Sequence, residues 1–127
     1  MGLPMRPPDE DLGLLRERTT QVITLVVLDH STPQVPIPGT SLTTMVYTLY
    51  SEHDAQAILN SRDHVDIKAL VNGSGVLTLE LTPADMVIAN TKLQQERHRI
   101  LFDWTYPTGR EGHYVVRLTV ANLEKVA

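Results

Sequence analysis

The sequence predicts an all-β protein, a small antiparallel β-sandwich, and three observations carry that prediction. Apolar and polar residues alternate with a period of two in about six segments, the period at which successive side chains point to opposite faces of a strand. Turns containing Gly, Asn and Pro separate those segments. Nowhere does a strand pattern alternate with a long helical one, which argues against a parallel α/β sheet. Two sheets that each carry one apolar face bury those faces against one another. The chain has 127 residues, 42% of them hydrophobic, enough for one sizeable core but not for two full-sized domains.

Residues 1–20 are rich in proline and charge (Pro4, Pro7, Pro8, Asp9, Glu10, Asp11, Arg16, Glu17, Arg18) and predict an extended N-terminal arm. Within it Asp9 to Arg18 suits a short helix. Acidic residues stand at its front and Arg16 and Arg18 at its back, and it carries Leu12, Leu14 and Leu15. So short a helix is marginal in water, so the leucines imply a partner surface. The sandwich is expected over residues 21–122, with residues 123–127 as a tail.

From Gln21 the period is two. Ile23, Leu25 and Val27 point one way and Val22, Thr24 and Val26 the other, predicting a strand that is apolar on both sides. Asp29 to Gly39 holds Pro33, Pro36 and Pro38, which deny ladder donors, so it is a loop or a crossing at a sheet edge. Leu42 to Tyr50 is a strand with Met45, Tyr47 and Leu49 inward, and Ser51 to Ser61 is a connection. Val65, Ile67, Ala69 and Val71 alternate, as do Leu77, Leu79 and Leu81. Asn72-Gly73-Ser74-Gly75 between them tolerates positive φ, so the two segments predict a hairpin.

Thr82-Pro83-Ala84-Asp85 is a helix start, with Thr82 as N-cap, Pro83 at the first position and Asp85 in place of the capping-box Glu. The helix is expected to fade between Asn90 and Gln95. Ile100, Phe102, Trp104 and Tyr106 then form one face of a long strand. Pro107 to Gly112 closes a second hairpin, and Tyr114, Val116, Leu118 and Val120 face inward on the last strand.

Composition limits the chemistry. With no cysteine, thiolate nucleophiles, disulfides, Fe–S clusters and the common structural zinc sites are excluded. A net charge of -4 gives no general attraction for phosphate backbones, so no nucleic-acid partner is expected. No stretch approaches a membrane span, and no membrane partner is expected. Pro4, Pro7 and Pro8 stand where a signal peptide needs an apolar run, so the chain is expected to begin near Met1 without export by that route.

The polar constellations favour surface over site. His53, Asp54, His64 and Asp66 are metal-ligand types, but His64 and Asp66 face outward by the alternation and a third ligand at suitable spacing is missing; no metal and no cofactor is expected. Ser51, Ser61 and Ser74 lack a G-x-S-x-G elbow, so no nucleophilic triad and no catalytic residue is assigned. Asn72 to Gly75 lacks the Lys of a phosphate loop and joins two strands. Asp103 and Glu80, as a carboxylate pair, occupy outward strand positions and suit salt-bridged surface. Gln94 to Arg99 (QQERHR), with Arg110 and Arg117, is the one basic clustering, diluted by Glu96.

The order of these signals is similar to a family of small immunoglobulin-like domains of bacteriophage virion proteins, including N-terminal domains of some baseplate proteins. The resembling stretches are VITLVVLD (Val22 to Asp29), TTMVYTLYSE (Thr43 to Glu52), VLTLELTPAD (Val76 to Asp85) and ILFDWTYPTGREGHYVVRLTV (Ile100 to Val120), together spanning Gln21 to Val120. The insertion His53 to His64 and the arm Met1 to Thr20 depart from that pattern. The resemblance implies an immunoglobulin-like sandwich and a non-enzymatic structural subunit of a phage tail, neck or capsid surface. Its expected location is the virion. Its expected partners are other virion proteins and further copies of itself, with no small-molecule ligand. Leu12, Leu14, Leu15, Arg16 and Arg18 of the arm, and Val35 and Ile37 of the Pro-rich link, are the expected contact residues. The alternative is a carbohydrate- or surface-binding module using the loops His53 to His64 and Pro107 to Gly112.

Overall fold

A computed structural model describes residues 9–29, 31, 33–52, 57–88 and 94–122. They form two sheets. Strands β1 (Asp9–Arg16), β3 (Thr44–Ser51), β4 (Val65–Asp66), β6 (Gln95–Tyr106) and β7 (Arg110–Ala121) make a five-stranded sheet in the order β1-β7-β6-β3-β4; β2 (Gln21–Val26) and β5 (Val76–Leu81) make a two-stranded one.

The alternation in β6 and β7 folds as the sequence dictates. The two strands pair antiparallel from Tyr106↔Arg110 to Gln95↔Ala121, which turns Ile100, Phe102, Trp104 and Tyr106 inward beside Tyr114, Val116, Leu118 and Val120. β3 lies on the other side of β6 and adds Met45, Tyr47 and Leu49; the rings of Tyr47 and Phe102 stand 6.3 Å apart between centroids. Ile23 and Leu25 of β2 and Leu77, Leu79 and Leu81 of β5 join the same hydrophobic cluster, so both sheets share one core. Burying an aliphatic or aromatic side chain stabilises by about 1.5–3 kcal/mol, so this cluster dominates the fold.

Four expectations need correction. The supposed helical arm is a strand: β1 runs parallel to β7, from Asp9↔Val115 to Arg16↔Ala121. Between Asp11↔Arg117 and Leu14↔Thr119 β1 advances three residues while β7 advances two, a bulge at which Gly13 takes φ 77° and donates its N–H to Asp11 Oδ1 at 2.8 Å. A ladder to a strand a hundred residues away overrides a weak local preference for helix.

The expected hairpin around Asn72 to Gly75 is reduced to one bridge, Val71↔Leu77. Val65–Asp66 pairs with β3 instead, and a 3-10 turn over Lys68–Leu70 carries the chain from the large sheet to the small one. The turn itself is as expected, with Asn72 N–H donating to Val76 O at 3.0 Å.

The helix expected from Thr82 is a 3-10 turn over Pro83–Asp85; residues 89–93 lie outside the described residues. Its capping box is present, as Thr82 N–H and Oγ1 donate to Asp85 Oδ2 at 2.8 and 2.9 Å. Asp85 is buried and also accepts from Asn60 Nδ2 at 2.7 Å and Arg62 Nε at 2.9 Å, pinning the 57–62 segment to this turn. Finally, β2 is buried on one side alone: Val22 is 59% exposed, because the small sheet turns its other face to solvent.

Candidate interaction surface

The two ends of the large sheet differ in length: one is the eight-residue β1, the other the two-residue β4 and the irregular segment leading into it. Along the outer side of β3, residues 57–67 run back against the strand: Ser51 N–H donates to Ala57 O, Leu59 N–H to Leu49 O, Leu49 N–H to Arg62 O and Ile67 N–H to Met45 O, all at 2.8–2.9 Å. At the other end β1 is the terminal strand, and among the described residues nothing pairs with its outer side. Glu17 N–H donates to Ala121 O at 2.8 Å and so faces β7. Main-chain groups alternate along a strand, so those of Leu14 and Arg16 face the open edge.

The expected contact residues separate accordingly. Leu14, 59% exposed, and Leu12, 36% exposed, stand at this edge, and Arg16 and Arg18 are exposed beside them. Leu15 turns the other way and packs on the core. Val35 is exposed in the Pro-rich link, whereas Ile37 is buried and belongs to the core. The link is not free: Ile37 N–H donates to Val27 O at 2.8 Å, folding it back on the end of β2. Asp29 Oδ1 organises it, accepting the N–H groups of Val35 and Ser31 at 2.9 Å each. The bonds from Val35 and Ser31 hold the Asp29 carboxyl below the usual carboxylate range.

β6 starts earlier than the aromatic run suggests, and its pleat splits the basic clustering. Arg97 and Arg99 point outward; Glu96 and His98 point inward and are fully buried. Arg99 stands directly opposite Arg117 in the ladder, a like-charge pair relieved by Glu52. Glu52 Oε1 accepts from Arg99 Nε and lies 3.6 Å from Arg117 Nε, while its Oε2 is 3.7 Å from Arg97 Nε. The bond to Glu52, then that to Tyr50, holds Arg99 above the ordinary guanidinium range. The stretch that reads as basic in sequence is thus partly neutralised in space.

The metal-ligand types do not converge. His64 Nδ1 contacts Asp63 Oδ1 at 2.6 Å, while Asp66 Oδ1 accepts Lys68 N–H at 3.0 Å; His53 and Asp54 lie outside the described residues. Among the described residues no three His, Asp or Glu side chains are placed to hold one ion. Asp103 and Glu80 are on different sheets. His113, on the outer face, lies 2.5 Å from Asp103 Oδ1 through Nδ1 and 3.7 Å from Glu111 Oε2 through Nε2.

One constellation was missed by sequence reading. Ser51 faces His98 across the β3–β6 ladder, and His98 Nε2 is 2.6 Å from Glu96 Oε1. These are the residue types of a nucleophilic triad, and all three are buried with 0% exposure. The signal was available: extending the period of two back from Ile100 places 98 and 96 on the inward face.

No known protein family and no curated protein matches the chain.

Proposed function

We propose that the chain is a non-enzymatic structural subunit that works through protein–protein contacts, with β1 as its contact edge. The observation that carries this reading is the open edge of β1, an eight-residue terminal strand with Leu12 and Leu14 exposed along it, where the opposite end of the sheet is only the two-residue β4. An exposed edge carrying apolar side chains is a template for pairing with another chain. The finer fold reading, an immunoglobulin-like sandwich, and the setting, a tail, neck or capsid-surface component of a bacteriophage particle, follow from the resemblance of Val22 to Asp29, Thr43 to Glu52, Val76 to Asp85 and Ile100 to Val120 to that family. Two sheets sharing one core agree with the former.

The test is incorporation. Particles purified from a host producing the chain should contain it. A Leu12→Lys/Leu14→Lys variant should stay folded and be lost from them, while Val22→Lys, an exposed change on the other sheet, should be retained. A chain absent from every particle fraction refutes the setting; a Leu12→Lys/Leu14→Lys variant incorporated like the unmodified protein refutes the role of the edge.

A further inference from the structure

We infer that the partner of the β1 edge is a second copy of this chain, joined antiparallel about a two-fold axis through Leu14. The inference rests on the reading of β1 as a contact edge and adds the occupant and the register.

The register of β1 against β7 serves as a ruler. Leu14 stands level with Thr119, Asp11 two residues to one side at Arg117, and Arg16 two residues to the other side at Ala121. Because the bulge absorbs one residue of β1 between Asp11 and Leu14, all three occupy equivalent positions of the pleat. Their main-chain groups face the open edge and their side chains share the outer face of the sheet, where Asp11 Oδ2 lies 4.0 Å from Arg97.

An antiparallel neighbour related by a two-fold axis at Leu14 follows from that spacing. Leu14 meets its own copy across the axis, a self-complementary contact of the kind closed dimers use. Two residues away on each side, Asp11 meets the second copy's Arg16 and Arg16 meets the second copy's Asp11. Both charged pairs form at once, and both are of opposite sign. Charges on an edge strand ordinarily discourage pairing. Here they favour this register over its immediate neighbours: moving the second copy by two residues in either direction sets Leu14 against a charged residue, Asp11 or Arg16, of the other copy. The spare N–H of the bulge does not obstruct the edge, since Gly13 donates it to Asp11 Oδ1. Thr19 Oγ1 donates to Arg16 O at 2.6 Å, which leaves that carbonyl its second lone pair. The product is one continuous sheet across two copies, burying the exposed Leu14 pair at its centre.

The experiment uses the full chain and two charge reversals at exposed positions, Asp11→Arg and Arg16→Asp, in sedimentation velocity. The unmodified chain is expected to dimerise at concentrations of about 1–100 µM. Each variant alone places like charges in both pairs, and its dissociation constant should rise at least about tenfold. An equimolar mixture of the two variants restores opposite charges in both pairs and should dimerise again. That rescue also shows that both variants are folded. A monomer throughout the range overturns the inference, as does a dimer that neither reversal weakens, or variants that fail to recover on mixing. The contact-edge reading fails separately, by normal particle incorporation of the Leu12→Lys/Leu14→Lys variant.

Discussion

Gly112 lies directly opposite Trp104 in the β6–β7 ladder, and the indole occupies the space that a side chain at 112 would need. A Cβ there would overlap Cε2 and Nε1 and lie 2.6 Å from Cζ2, so glycine is required by close approach. Trp104 is held in the core by that vacancy.

Gly112→Ala should therefore destabilise by about 1–3 kcal/mol, the usual cost of overpacking. Trp104 is the one tryptophan in the chain, so its fluorescence during urea unfolding reports the change directly. An unchanged midpoint would mean that the indole is not seated over Gly112.

Asp85 gives the fold an acid-sensitive joint. Burial pushes its carboxyl up, but bonds from Arg62, Asn60 and Thr82 more than reverse this, leaving it below its ordinary value of 3.8. A depressed folded pKa contributes stability that is complete above the unfolded value and lost as pH falls through the folded one. The protein should thus lose stability below about pH 4. Asp85→Asn should cost about 2 kcal/mol at neutral pH, and its stability should fall less steeply in acid. Urea midpoints from pH 7 to 2 check both; parallel curves for the two proteins would contradict the assignment.

Removing Glu52 should expose the repulsion between Arg99 and Arg117. Glu52→Gln is expected to destabilise by about 1 kcal/mol at low ionic strength and by less in high salt, where screening weakens both the lost attraction and the repulsion. Thermal unfolding at two salt concentrations measures it. A loss independent of salt would show that Glu52 acts by packing instead.

Deleting residues 1–20 should do more than remove an arm. β1 covers the edge of β7, and Leu15 packs on the core. The truncated chain should unfold at lower urea and self-associate through the uncovered β7 edge. Hydrogen exchange on the full chain should show the amides of Leu15 and Glu17 protected, and exchange as fast as in a free peptide would contradict the parallel ladder.

The strands with strict alternation were legible because the period of two is written locally: Ile100 to Tyr106, Tyr114 to Val120, Leu77 to Leu81 and Met45 to Leu49 all bury the residues the pattern names. β1 was not, because DEDLGLLR lacks β-branched residues and its strand state depends on a partner at the far end of the chain. Leu12, Leu14 and Leu15 stand in a helix-compatible stretch, yet the bulge at Gly13 sends Leu14 out and Leu15 in. The Asn72 to Gly75 turn was legible, but not that its preceding strand divides between two sheets. Alternation marks which residues are inward without saying which sheet they line. Ile37 shows the same limit: prolines on both sides mark a link, whereas the bond from its N–H to Val27 that draws it into the core is a tertiary fact.

The most direct test of assembly through β1 uses the absence of cysteine from the chain. A two-fold axis at Leu14 sets its two Cα atoms about 5.5 Å apart as a hydrogen-bonded antiparallel pair, a separation that a disulfide spans. Leu14→Cys should give a covalent dimer on mild oxidation, and Val22→Cys, equally exposed on the other sheet, should remain monomeric. Equal cross-linking of the two variants, or none at position 14, would contradict a dimer built on the edge of β1.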